Sequence, residues 1–135
     1  MIEMLQATLS ERTAPIVQGM NMRVLRASTE EVAVALPVTP HVVHAANALC
    51  GQAIMAAMDT VMVLAIIANN GGERRPMATI QLQTSFLRGA RADVGEVTFT
   101  GRVLRAAKTV AFGEVSMHTP DGKLCAHATT TYALL

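Results

Sequence analysis

The sequence predicts an α+β fold in which a curved antiparallel sheet wraps around one long central helix. Three observations point there. From Leu49 to Ala68 the chain is apolar on nearly every face and carries a single charge, Asp59, so a helix formed there must be surrounded. After the turn Asn69-Asn70-Gly71-Gly72 the pattern changes to strands rich in Val and Thr. The 135 residues make one domain, 1–135, with one core and no room for a separate cofactor domain.

At the N-terminus, Leu5, Leu9 and Ile16 alternate with Glu3, Gln6, Glu11 and Arg12, which predicts a short amphipathic helix over 1–17 that ends near Pro15 and covers the surface. Met20 to Ala27 and Glu31 to Leu36, separated by Ser28-Thr29-Glu30, read as a hairpin, and Pro37 and Pro40 stop its second strand. Thr39 to Ala48 lacks a period and forms a loop into the central helix. Four strands follow: Met77 to Leu87, Gly95 to Leu104, Thr109 to His118 and Lys123 to Leu134. Their separators read as turns. Arg88-Gly89-Ala90-Arg91 breaks the first pair, Ala106-Ala107-Lys108 the second, and Thr119-Pro120-Asp121-Gly122 is a hairpin turn because Pro presets one φ and Gly accepts a positive one.

Eleven Lys and Arg against ten Asp and Glu leave a net charge of +1, without the basic excess that gripping a phosphate backbone requires. Three Phe, one Tyr and no Trp offer no platform for stacked bases, so nucleic acid is not an expected partner. With 51% hydrophobic and 16% charged residues, the chain is more apolar than a monomer of this size can hide, and a homo-oligomer is expected. Cys50 and Cys125 form no C-x-x-C pair and Glu3 interrupts the first apolar residues, which predicts a reduced, cytoplasmic protein. Asp59 would cost about 2.5–3.5 kcal/mol at a bilayer centre, so the apolar stretch is expected to be a buried helix and not a membrane span. His41, His44, His118 and His127 form no close pair on a predicted helix, and no metal site is expected.

The residues that bear chemistry surround the start of the central helix. A carboxylate on a buried helix loses its hydration unless a partner or a function holds it, so Asp59 is either a structural group bonded to a neighbour such as Thr60 or a reactive one. Gly51 opens the same helix, where unpaired N–H groups and the positive dipole end suit a developing oxyanion; the alternative is a glycine easing loop into helix. Cys50 is either a small packing residue or a thiol activated at a helix N-terminus, with His44 six residues upstream as its base.

Together, His44-Ala-Ala-Asn47-Ala-Leu-Cys50-Gly51-Gln52 and the following Ala53 to Thr60 resemble the loop-and-helix signature of the hotdog-fold acyl-CoA thioesterases, in the branch related to phenylacetate degradation. That family shows Asn-x-x-Gly-x-x-His-Gly-Gly and an acidic residue eight positions after the first of the paired glycines. Phe86-Leu87-Arg88-Gly89-Ala90, Arg105-Ala-Ala-Lys108-Thr109-Val-Ala111 and Asp121-Gly122-Lys-Leu-Cys-Ala126 extend the likeness over residues 20 to 134. The chain departs from the pattern at Cys50, where the family has His, at Gln52, where it has Gly, and at His44.

The resemblance implies hydrolysis of an acyl-CoA thioester without a cofactor, coenzyme A being part of the substrate. Gly51 N–H would stabilise the carbonyl, Asp59 would activate water or attack directly, and His44 would orient that water or polarise the carbonyl. Asn47, Cys50, Gln52 and Thr79 are then expected around the substrate, and Arg88, Lys108 and Thr109 at the phosphates of coenzyme A. A homodimer, or a dimer of dimers, with each site shared between two chains is expected. A non-catalytic acyl-CoA binder on the same fold is the alternative, and a hydratase a more distant one.

Overall fold

The computed structural model describes all 135 residues. In chain order it comprises α1 (Ile2–Glu11), α2 (Pro15–Gln18), β1 (Arg23–Ala27), β2 (Glu31–Pro37), α3 (Gly51–Asn69), β3 (Met77–Phe86), β4 (Glu96–Ala106), β5 (Val110–His118) and β6 (Leu124–Leu134), with single 3₁₀ turns at Pro40–Val42 and Ala92–Val94. The six strands form one sheet in the order β1-β2-β4-β5-β6-β3, every neighbouring pair antiparallel. The predicted α+β architecture, with one long helix packed against an antiparallel sheet, is what forms.

Helix α3 is the axis of the core. Its Ala57, Met58, Val61 and Met62 are completely buried, against Val32, Val34 and Leu36 of β2, Phe99 of β4 and Val115 of β5 in the same apolar cluster. Although α3 is long and apolar enough to cross a membrane, it lies inside the sheet's curve. The helix approaches β4 and β5 so closely that only glycine fits at two points. A Cβ on Gly101 would stand 2.9 Å from Val61 Cγ1. One on Gly113 would press into the Met62 thioether and stand 2.9 Å from the Arg102 carbonyl oxygen.

The N-terminal segment is two helices, not one over 1–17. Pro15 opens α2 at its first turn, where a missing N–H leaves no bond unmade, so the chain breaks before it. Nor is α1 merely a cover: Leu5 and Leu9 belong to the core. Gln6 also closes one sheet edge, its Oε1 accepting the Val24 N–H at 2.7 Å and its Nε2 donating to the Met22 carbonyl at 3.2 Å.

The break at Arg88–Arg91 is not a hairpin turn. Strand β3 pairs with β6 while β4 pairs with β2, so residues 87–95 carry the chain across the sheet. That crossover is tied to the loop before α3 by the Leu49 N–H on the Ala90 carbonyl, 2.9 Å, and by a bridge between Ala48 and Arg91. Strand β3 is thereby left at the open edge, with Ile80 62% and Phe86 52% exposed.

Gly113→Ala is expected to destabilise the fold by about 1–3 kcal/mol, the range for overpacking a filled core. Met62 can yield but the Arg102 carbonyl is backbone. Equilibrium urea unfolding measures it, and a midpoint equal to that of the unmodified chain contradicts this account of the helix–sheet approach.

Candidate functional site

The site is built on the part of α3 that the sheet does not cover. Gln52, Met55, Asp59 and Val63 recur at helical spacing along that stripe, exposed or half-buried, with half-buried Ala56 and Thr60 beside them, while Ala53, Ile54, Ala57, Met58, Val61 and Met62 are buried. Asp59 lies at its centre. The Thr79 hydroxyl donates to Asp59 Oδ1 at 2.8 Å, and the Tyr132 hydroxyl donates to the same oxygen and to the Asp59 carbonyl at 2.7 Å. Both donors therefore converge on Oδ1, and Oδ2 has no protein partner.

Strand geometry makes this convergence. Thr79 and Tyr132 are direct cross-strand partners on β3 and β6. Leu82 and Thr84 are the half-buried residues of β3, and strict alternation from them would turn Ile80 inward and Thr79 outward. A β-bulge between Thr79 and Gln81 reverses that parity and aims Thr79 at α3. Tyr132 is 1% exposed, and its hydroxyl pKa is pushed far above the ordinary value, first by burial and then by the bond to Asp59 and its negative charge. The phenol stays protonated and remains a donor. Thr60, the neighbour that a structural Asp59 would have used, bonds instead to the Ala56 carbonyl at 2.8 Å.

Gly51 is the first residue of α3, and no side chain caps that end. Its N–H makes no backbone hydrogen bond, so it is an open donor at the positive end of the helix dipole. A Cβ at Gly51 would meet only the Phe86 ring, at 3.6 Å. Gly51 and Asp59 are eight residues apart, about 12 Å along the helix, so the chain does not bring them together at one carbonyl.

His44 is exposed, and its Nδ1 accepts the Ala46 N–H at 3.0 Å. Asn47 takes a left-handed turn conformation, φ 64°, and its carbonyl accepts the Ala92 N–H at 3.0 Å. Cys50 makes no side-chain hydrogen bond and lines, with Met20, Val42, Gln52 and Ala53, an apolar cavity of about 160 Å³. His41 borders the same cavity without bonding the thiol. Arg88 and the pair Lys108 and Thr109 stand at opposite ends of the sheet. Arg88 N–H bonds the Cys125 carbonyl and Leu134 N–H the Thr109 carbonyl, nine residues or about 30 Å apart along β6. Three open clefts of about 400 Å³ mark the surface, and Asp59 lines none of them.

Tyr132 is the functional residue that sequence reasoning missed. The signal available was the chain's single tyrosine on the inward parity of the last strand, since a buried phenol needs a polar partner and Asp59 is the one charge on α3.

The family model of the thioesterase superfamily matches residues 46–126, and the chain belongs to that superfamily. Thioester hydrolysis is the general activity that this membership supports. No curated protein sequence matches the chain. Among solved structures, it is similar to a mutant Pseudomonas aeruginosa thioesterase with TM-score 0.87 and 20% identity, covering 100% of this chain and 94% of that one. It is similar to zebrafish thioesterase superfamily member 2 with TM-score 0.83 and 20% identity, covering 99% and 95%. A conserved Pseudomonas aeruginosa protein shares 26% identity with TM-score 0.82, covering 91% and 95%. These likenesses agree with the hotdog architecture.

Tyr132→Phe removes the buried hydroxyl that reaches Oδ1 and the carbonyl oxygen of Asp59 and is expected to cost about 1–3 kcal/mol, the range for losing a hydrogen bond to a charged group. Thr79→Val, at an exposed position, is expected to cost less, about 0.5–1.5 kcal/mol. Denaturant titration of both variants checks the order, and equal or reversed losses contradict the clamp.

Proposed function

We propose that the protein hydrolyses acyl-CoA thioesters, in the manner of the phenylacetate-degradation branch, at two equivalent sites each completed by a second copy of the chain. The observation that carries this is the Asp59 clamp. A carboxylate with one oxygen fixed by two neutral hydroxyls and the other open is oriented without being neutralised, which is what a general base or a nucleophile requires. Gly51 N–H supplies the other half, a preorganised donor for the carbonyl oxygen as it gains charge, an effect worth about 2.7–4 kcal/mol per donor.

The open β3 edge supports pairing of the two halves. Within one chain Asp59 is bonded to Thr79 and Gly51 faces Phe86, near opposite ends of that strand. If β3 pairs antiparallel with a second β3 about a two-fold axis, Thr79 comes opposite the partner's Phe86, and Asp59 approaches the partner's Gly51. The same register carries the partner's Arg88 to the Met77 end, where Lys108 and Thr109 lie. Exposed Ile80, Met55 and Leu87 would be covered there.

The carbonyl would rest on the partner's Gly51 with the acyl group toward the apolar cavity beside the partner's Cys50. Attack by water, deprotonated by Asp59, forms a tetrahedral oxyanion. Its collapse breaks the C–S bond, releasing the acid and the thiolate of coenzyme A, which takes up a proton. His44 Nε2, free because Nδ1 is spent on Ala46, would orient the water or polarise the carbonyl. Cys50 serves as packing.

Asp59→Asn keeps the shape of the side chain and removes the base, so kcat for acyl-CoA hydrolysis is expected to fall by at least ~10²-fold. Cys50→Ala is expected to stay within about tenfold, or ~1.4 kcal/mol of barrier. A thiol-release assay over a panel of acyl-CoAs reads both, and a folded Asp59→Asn protein with normal turnover sinks the mechanism. If no member of the panel is turned over but acyl-CoAs bind, the chain is a binding protein.

Sharing of the site is read by mixing Asp59→Asn with Gly51→Val, whose first added carbon the Phe86 ring tolerates. Mixed dimers hold one site with both defects and one with neither, so activity is expected to return toward half per mixed dimer. Confirmed subunit exchange without recovery shows that each chain completes the reaction alone.

A further inference from the structure

Two open clefts of similar volume carry positive charge, and their electrostatics differ. The one lined by Arg88, Arg91 and Lys123 also holds Asp121; Lys123 pairs with Asp121 at 3.8 Å and Arg91 with Asp93 at 3.8 Å, so its charge is largely compensated. The other, about 400 Å³, is lined by Arg12 at the end of α1 and by Arg74 and Arg75 in the turn entering β3. No carboxylate lines it. None of its three guanidiniums has an ion-pair partner, and Arg75 alone makes a hydrogen bond, to the Leu135 carbonyl at 3.4 Å. Three cations turned into one cleft repel each other unless an anion lies among them, and guanidinium forks match phosphate oxygens in geometry.

The cleft also lies on the path from the reacting group. Its floor includes Val63 and Ile67, one and two turns beyond Asp59 on α3, or about 6 and 12 Å along the axis. Lys108 and Thr109 stand at this end of the sheet, through the Thr109 carbonyl bond to Leu134 and the Leu134 pairing with Met77. A thioester held at Asp59 therefore has a route along α3 for a long flexible arm, ending at an uncompensated cluster of guanidiniums.

We infer that the cleft formed by Arg12, Arg74 and Arg75 is the phosphate anchor of the thioester substrate, taking the phosphates at the far end of its pantetheine arm. This rests on the acyl-CoA reading. It assigns the anchoring to residues of the chain that supplies Asp59, and it makes Arg88 secondary. The phosphates of coenzyme A and the single phosphodiester of a carrier-protein arm share this chemistry, and the test separates them.

The test compares one acyl group on three thiols, namely coenzyme A, 4′-phosphopantetheine and pantetheine, in the unmodified protein and in Arg74→Ala/Arg75→Ala. Because Arg75 bonds the backbone, Arg12→Ala/Arg74→Ala, which removes no side-chain hydrogen bond, is the parallel variant. In both variants KM for acyl-CoA is expected to rise at least ~10-fold with kcat within about twofold, as loss of charge-assisted bonds to a non-reacting group requires. The acyl-pantetheine parameters are expected not to move. A KM rise with acyl-CoA alone identifies the nucleotide phosphates as the ligand, and an equal rise with acyl-4′-phosphopantetheine identifies the phosphodiester. Unchanged KM for acyl-CoA, or an equal loss on acyl-pantetheine, overturns the assignment. Calorimetric binding of adenosine 3′,5′-bisphosphate and of 4′-phosphopantetheine to Asp59→Asn, with and without the arginine substitutions, reads the cleft independently of hydrolysis. Failure of the catalytic reading is thereby distinguished from failure of this one.

Discussion

Burial of α3 is the constraint on which the rest of the structure depends. A helix with one charge in nineteen residues cannot sit on a surface, and the chain has only six strands with which to cover it. The sheet must therefore curve, and at Gly101 and Gly113 it gives up side chains so that the helix can come close. Coverage is incomplete all the same. The uncovered stripe of Gln52, Met55, Asp59 and Val63 is the part of the helix able to meet another molecule, because the core has taken most of the rest.

The handling of charge around Asp59 follows from its place. Neutral hydroxyls of Thr79 and Tyr132 hold it, and no arginine or lysine pairs with it. A guanidinium in that position would satisfy the carboxylate and blunt it toward a proton or a carbonyl carbon. The cations stand instead at the rims of the molecule, among them Arg12, Arg74 and Arg75 around one cleft and Arg88 and Arg91 around another. One small domain thus keeps the Asp59 carboxylate, held by neutral hydroxyls, apart from its clusters of positive charge.

Much of this was legible in the residues. The period change after Asn70 marks the helix-to-sheet transition, and Gly51 and Asp59 stand out because glycine at a helix start and a carboxylate on an apolar helix each demand a reason. Thr79, singled out by resemblance, does bond Asp59. What stayed hidden depends on contacts between distant segments. Turn chemistry at Arg88–Arg91 states that the chain bends but not which strand it joins, so the crossover that leaves β3 at an edge looks in the sequence like a break within a strand pair. The bulge at Ile80 shifts parity by a single residue and leaves no local mark, so the partnership of Thr79 with Tyr132 required the sheet. Arg88 and Lys108 look equivalent along the sequence and prove to lie at opposite ends of the sheet.

The two margins of the sheet are treated unequally, and this limits growth. Gln6 occupies the backbone groups of Val24 and Met22, so a strand arriving at β1 finds that margin already taken. Strand β3 remains receptive. A chain with one receptive margin can join one neighbour there and is then saturated, whereas a chain with two could add copies indefinitely in the manner of a fibre. A single glutamine on a surface helix thus acts as a chain terminator, allowing a long apolar strand to stay open without an invitation to polymerise.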